Sequence, residues 1–184
     1  AKIKDDNLLR RFLPELTEFE PIILVGNYDA DSRKLEVNGQ IPQVTYGANK
    51  ITGGVITINN LNDALVYDVK LADFKNESIA LMKVDLNGDI RNNLITYNAS
   101  TKDEKDVTKF LVAGNVEKVG ELTKISLNPD GLTLNYDNWQ VSNDNFIQLS
   151  SSGILANNFA ISNSGSQISV ESETNVPNSP LNIA

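Results

Sequence analysis

Carboxylates are the only side chains in this 184-residue chain suited to acid–base chemistry near neutral pH, because it contains neither histidine nor cysteine. Ser-His-Asp triads, thiolate nucleophiles, Cys- or His-ligated metals and imidazole proton transfer are thereby excluded. The acidic candidates are Asp29 and Asp31 within one turn, Asp63 beside another, and Asp85 with Asp89 on one polar strand face. A glycan-active enzyme would need two such carboxyl groups converging in a cleft at roughly 5 to 10 Å. Spacing selects no pair, and an acidic chain leaves most of its carboxylates in solvent. No catalytic residue is assigned, and the chain is read as non-enzymatic.

The other chemical signals are fainter. Asn27-Tyr-Asp-Ala-Asp31 and Asp85-Leu-Asn-Gly-Asp89 have the oxygen density of a calcium loop but lack the bidentate Glu that such loops carry further on. No metal or cofactor is assigned. Trp139 is read as a core side chain, with stacking on a sugar ring as the alternative. Asn76-Glu-Ser78 and Asn98-Ala-Ser100 match the glycosylation sequon, which matters only in a eukaryotic secretory setting. With a net charge of −8 and no basic cluster beyond Arg10-Arg11, a phosphate backbone would be repelled, so nucleic acid is not expected as a partner.

The elements that would position these residues are strands. Residues 1–20 read as a short amphipathic helix: Asp5 or Asp6 can cap it, Leu8, Leu9, Phe12, Leu13 and Leu16 form its stripe, and Pro14 ends or kinks it. From residue 21 to 184 the period is two. Ile22, Leu24, Gly26 and Tyr28 share one parity, and Leu35, Val37, Gly39 and Ile41 repeat it after the Asp29–Ser32 turn. Leu65, Tyr67, Val69 and Leu71 follow, then Ala80, Met82, Val84, Leu86 and Ile90. Further strands are expected at 95–99, 110–116, 123–127, 132–136, 146–149, 159–161 and 168–170. Turns are expected at Asn92-Asn93, Asn128-Pro129-Asp130-Gly131 and Asn143-Asp144. Strands recurring without helical stretches between them argue for antiparallel meanders. The expected fold is all-β: a strongly curved antiparallel sheet, groove-like or an elongated sandwich, after a short helix.

An apolar-x-Gly-x-apolar pattern recurs around Gly26, Gly39, Gly88 and Gly114, with each glycine on the apolar face. Glycine in a strand costs roughly 0.5 to 1 kcal/mol against alanine. Its repetition points either to a bent, narrow apolar concavity that something approaches closely, or to relief of crowding between two packed sheets. The concave reading nominates a lining of Leu24, Tyr28, Leu35, Val37 and Ile41, continued by Leu65, Tyr67, Val69 and Leu71. Met82, Val84, Leu86 and Ile90 extend it, as do Phe110, Val112 and Val116, and the four glycines face the same groove.

Several stretches resemble TamB-like proteins, the translocation and assembly module subunits, in the form found in Bacteroidetes. They are Leu8-Leu-Arg-Arg-Phe-Leu-Pro-Glu-Leu16, Asn128-Pro-Asp-Gly-Leu132 with Asn135-Tyr-Asp-Asn-Trp139, Gly153-Ile-Leu-Ala-Asn-Asn-Phe159 and Ser179-Pro-Leu-Asn182. The wider group would be the AsmA-like superfamily. The resemblance implies an excerpt of a long periplasmic protein of a Gram-negative bacterium, anchored in the inner membrane. Its apolar trough would carry lipid acyl chains or assist outer-membrane protein assembly, with a TamA-like outer-membrane barrel as partner. No apolar run in this chain is long enough to span a bilayer, and its first residues lack the features of a signal peptide. The alternatives are a closed surface β-sandwich binding carbohydrate or protein through its loops, and a segment that self-associates edge to edge.

Overall fold

The computed structural model describes residues 2–3, 11–61 and 63–184. Among them are sixteen strands: β1 (Lys2–Ile3), β2 (Leu16–Phe19), β3 (Ile22–Asp29), β4 (Lys34–Tyr46), β5 (Asn49–Leu61), β6 (Ala64–Lys75), β7 (Ala80–Arg91) and β8 (Leu94–Lys102). The second half holds β9 (Thr108–Val119), β10 (Leu122–Leu134), β11 (Asp137–Val141), β12 (Phe146–Ser150), β13 (Gly153–Asn157), β14 (Phe159–Asn163), β15 (Ser166–Ser172) and β16 (Leu181–Ile183). The main hydrogen-bonding path runs β1-β3-β4-β5-β6-β7-β8-β9-β10-β11-β14-β15-β16, with β2 on β4 and β12 on β10 and β13. The ladders whose register is described are antiparallel throughout, so the all-β expectation holds. The chain forms two compact units, residues 1–87 with 101–107 and residues 88–100 with 108–184.

The N-terminal helix is not shown. Asp5, Asp6, Leu8 and Leu9 lie outside the described residues; residues 11 and 12 make a helical turn, and a bend at Pro14 is closed by Leu16 N–H donating to Leu13 O (3.0 Å). Leu16 then opens β2 opposite Tyr46, with Phe19 opposite Val44. Of the described stripe residues, Leu16 is buried in a strand pairing and Phe12 is 78% exposed.

In the first unit the register is constant from β3 through β6. Strand β5 has no counterpart among the strands expected from sequence, because its apolar residues change parity halfway. Ile51 and Val55 point to one face and Ile56 and Ile58 to the other, which hides the period-two signal. The change coincides with a crease. Pro42, which has no N–H to give the ladder, falls between the pairs Ile41↔Gly54 and Gln43↔Thr52, opposite Gly53 at φ 60°. Gly53 in turn faces Ala72, and Lys83, at φ 47°, joins both in lining one shallow hollow. On one side of this line Val37, Ile58 and Tyr67 share a face. On the other side that same face carries Gln43, Thr52 and Asp73, while Val44, Ile51 and Phe74 line up on the reverse. The polar set is satisfied locally: Thr52 Oγ1 donates to Asp73 (3.2 Å), and Glu18 accepts from Gln43 (2.9 Å) beside Lys50 (3.7 Å).

The second unit is built on a fork. Sequence places a chain reversal at Asn128–Gly131, but Leu122–Leu134 is one strand. Its register on β9 jumps from Leu127↔Gly114 to Leu132↔Val112, leaving the four residues as a bulge. Below the bulge β10 pairs β12, and above it β10 pairs β11. Asn145, only 4% exposed, fills the gap. Its carboxamide accepts from Leu127 N–H (2.9 Å) and donates to Leu127 O and Ser142 O (2.8 Å each), replacing a strand residue in the ladder. The two branches meet where Ala156 N–H donates to Ser172 Oγ (2.9 Å), burying Leu155 and Ala156; Leu132 and Val141 are buried elsewhere in the same unit.

Removing the Asn145 carboxamide leaves the part-buried Leu127 N–H and C=O without that partner, and each such loss costs roughly 1 to 3 kcal/mol. Asn145→Ala is expected to lower unfolding free energy by about 2 to 4 kcal/mol in urea titrations.

Candidate apolar binding face

Constant register turns alternation along each strand into rows across strands. Gly26, Val37, Ile58 and Tyr67 form one complete row, and Leu24, Gly39, Ile56 and Val69 form the next. The rows are flanked by Tyr28 opposite Leu35, and by Ile41 opposite Gly54 with Leu71 against it. Leu65 faces Asn60, the one polar intrusion. Asn60 secures the start of β4, since its Oδ1 accepts from Leu35 N–H (2.7 Å) and its amide donates to Arg33 O.

The reverse face of these rows is mixed, with Val25 and Val55 exposed among polar side chains. Thr57 and Asn38 hydrogen bond at 3.5 Å, and Lys70 pairs with Asp68 (2.8 Å) and Asp85 (4.0 Å). The Asp68 hydrogen bond is the main reason that the Lys70 pKa is raised. The Asn76–Ile79 turn (2.9 Å) leads from β6 into β7, and Lys70 on β6 reaches Asp85 on β7 (4.0 Å).

None of the sixteen apolar positions singled out from the sequence is buried. Tyr28 is 62% exposed, Leu86 and Ile90 are 36% exposed, and the others are half-buried. The first unit buries only Leu16 and Ala64 among its described apolar residues. In the second unit, Val116 stands in the row Val116–Ile125–Ile147–Ala156, Val112 in Val112–Leu132–Trp139, and Phe110 opposite Leu134. Leu132 and Ala156 in those rows are buried, so this unit covers part of its own apolar surface. Trp139 is half-buried at the edge of that packing. Ile56, Ile58 and Gly54 belong to the face but have no place in the sequence-derived lining. The β-branched pair around Thr57 is the signal that points to them.

The glycines answer a question that the pattern leaves open. A Cβ at Gly39 would stand 2.9 Å from Leu24 Cδ2 and 3.3 Å from Ile56 Cβ. At Gly54 it would stand 3.0 Å from Ile41 Cβ. The crowding comes from neighbours on adjacent strands of the same face, not from an opposing sheet. Glycine lets those side chains lean together and the strands bend. Gly114 is tighter: a Cβ would lie 2.0 Å from Ser126 O and 2.7 Å from Tyr97 Oη. The Tyr97 phenol is pushed up in pKa by its burial there. Gly26 has open space, its nearest contact being Val37 at 3.7 Å, and Gly88 is half-buried.

The candidate carboxylates are engaged in local structure. Asp29 accepts from Asp31 N–H (3.0 Å), Ser32 N–H (3.3 Å) and Ser32 Oγ (2.7 Å), a capped turn whose hydrogen bonds, Ser32 foremost, lower its pKa. Asp89 accepts from Thr96 Oγ1 at 2.7 Å. Asp85 accepts from Asn87 Nδ2 at 2.7 Å. Asp63 sits at φ 61° in the β5–β6 turn. No group of three or more acidic side chains suited to a metal occurs among the described residues. No described helix is long and apolar enough to cross a membrane. No family model, curated protein or solved structure matches the chain.

Two measurements check these assignments. Gly114→Ala is expected to cost about 3 kcal/mol, whereas Gly26→Ala is neutral or stabilising by up to roughly 1 kcal/mol, in urea unfolding. In an NMR titration Asp29 is expected to lose its charge below the ordinary Asp value. Its contribution to stability is then present above the unfolded pKa and is lost as pH falls through the lower folded value. A carboxyl serving as general acid near neutral pH would titrate above the ordinary value instead.

Proposed function

We propose that this chain is a non-catalytic segment of a TamB-like cell-envelope protein. Its apolar strand faces hold lipid acyl chains during phospholipid transport between inner and outer membranes, or during outer-membrane protein assembly. The observation that carries this reading is the pair of complete apolar rows across β3–β6, none of whose side chains is buried. A contiguous exposed apolar surface rimmed by polar residues is the usual mark of a binding face. An acyl chain is a suitable guest because it needs no hydrogen bonds from the lining, and apart from the Tyr67 hydroxyl the central rows offer none. Each methylene withdrawn from water gains about 0.8 kcal/mol, so eight of them contribute roughly 6 kcal/mol. Headgroups remain at the open edge in water. Half-exposed aliphatic rows without a charged anchor hold a chain loosely enough to pass it on. The reading places the segment in the periplasm of a Gram-negative bacterium, within a longer protein anchored in the inner membrane that works with a TamA-like barrel.

The test is native mass spectrometry of the chain purified from the periplasm of a Gram-negative host with its lipids retained. Phospholipid adducts are expected on the unaltered protein and on Thr57→Glu, which alters the reverse face. They are expected to vanish in Val69→Glu and Leu86→Glu, where a guest would have to bury an unpaired charge. Circular dichroism should show unchanged strand content in all four proteins. Lipid recovery from the two groove variants equal to that from the unaltered protein would overturn the reading.

A further inference from the structure

We infer that a cleft at the fork of the second unit is a binding site for a neutral oligosaccharide. The cleft measures about 470 Å³, within the range of small-molecule sites, and is bounded by the β10 bulge on one side and the β11–β12 connection on the other. Its charged lining consists of Lys124 and Asp144 alone. These cancel, which leaves a neutral patch on a chain of net charge −8. Lys124 forms no ion pair with a described carboxylate; its Nζ stands 4.2 Å from the centroid of the Phe146 ring. The ammonium is thus fixed over an aromatic face with its remaining donor capacity directed elsewhere.

Carboxamides supply the rest. Asn115 Nδ2 donates weakly to Asn128 Oδ1 (3.3 Å), which leaves the Asn128 amide N–H groups and the Asn115 carbonyl free to bind. The Asn143 side chain has no hydrogen bond among the described residues, although its backbone O is held by Asn158 Nδ2 at 2.5 Å. Asn157 donates to Asp144 O at 3.3 Å and keeps its carbonyl open. Amide groups that both donate and accept, spread around a neutral hollow, match hydroxyl groups that also do both. A free anion would meet the chain's overall negative charge, and a metal ion would find a single carboxylate. An extended peptide would seek a strand edge, and the apolar part of the lining, Leu127, Pro129 and Phe146, forms no side-chain pocket for it. The frame is pre-formed, since Asn145 locks the two walls together through Leu127 and Ser142. This inference is independent of the lipid reading, whose rows lie elsewhere.

The experiment is a 1H–15N NMR titration of the whole chain with three tetrasaccharides, of N-acetylglucosamine, glucose and mannose, and with a neutral glycine–glutamine tetrapeptide. At least one sugar is expected to produce saturable shifts centred on Lys124, Asn128 and Asn143. Asn128→Ala with Asn143→Ala removes two exposed partners and should weaken that binding about tenfold, two modest hydrogen bonds' worth. Unshifted Leu127 and Asn145 signals in the double variant will show that the fork is intact. If that variant fails to keep the fork, Lys124→Gln, which shortens the reach but leaves the bulge alone, is read in its place, with the same tenfold loss expected. No saturable shift with any sugar, an unchanged affinity in the variant, or an equal response to the tetrapeptide would each overturn the assignment.

Discussion

Cross-strand register is what the first unit rests on. Its apolar residues are not gathered into a buried core; they are aligned by backbone hydrogen bonds whose pairing stays constant from Ile23↔Gln40 on β3–β4 to Ile58↔Tyr67 on β5–β6. A slip of one residue on any of these strands would send its apolar set to the reverse face, among Asn38, Thr57, Asp68 and Lys70. The glycines take part in that alignment. Gly26, Gly39 and Gly54 occupy successive rows on successive strands, so each strand has one place where its neighbours can lean in. At Gly39 and Gly54 they do so to within contact distance. The need for glycine there is therefore set by side chains of the same face.

The crease sets a limit to that face. With strict alternation, a face that stays apolar along a whole thirteen-residue strand would make a long apolar plane, of the kind that aggregates. At Pro42, Gly53 and Ala72 the sequence instead exchanges the two faces. Gln43, Thr52 and Asp73 end the apolar rows with a hydrogen-bonded polar patch, and Val44, Ile51 and Phe74 start a second apolar cluster behind it, against Phe19. The apolar surface thus has a defined end within the unit.

The same exchange explains what was legible in the sequence. Strands β3, β4, β6 and β7 announce themselves because long stretches of each keep one parity, as in Leu65, Tyr67, Val69 and Leu71. Strand β5 does not, because Ile51-Thr-Gly-Gly-Val-Ile56 changes parity inside six residues around two glycines, which looks like a turn. Asn128-Pro-Asp-Gly131 has turn composition and does leave the ladder. Whether the chain then reverses depends on Asn145, fourteen residues beyond Gly131, and local composition carries no sign of a carboxamide that repairs the strand. Leu16, the last residue of the helical stripe, misleads for the opposite reason: it fits both a helix face and a strand position, and its pairing with Tyr46 decides between them. The shared facing of the lining positions on β3, β4 and β6 was recoverable because alternation fixes facing. Their exposure was not, since alternation is the same whether or not another layer lies on top.

The two units resolve one problem in different ways. A one-sided sheet must cover its apolar face or leave it to water. The second unit divides at the β10 bulge into two branches that meet at Ala156 and Ser172, and it buries Ala113, Leu132, Val141, Leu155 and Ala156. Its stability therefore needs no guest, and the polar lining at its fork is free to be selective. The first unit has no such division. Its strands run on in one path, and β2, its one side branch, joins beyond the crease at Val44 and Tyr46, away from the apolar rows. What remains on that face is apolar, aligned and partly in water, an arrangement in which each strand depends on its neighbours for cover.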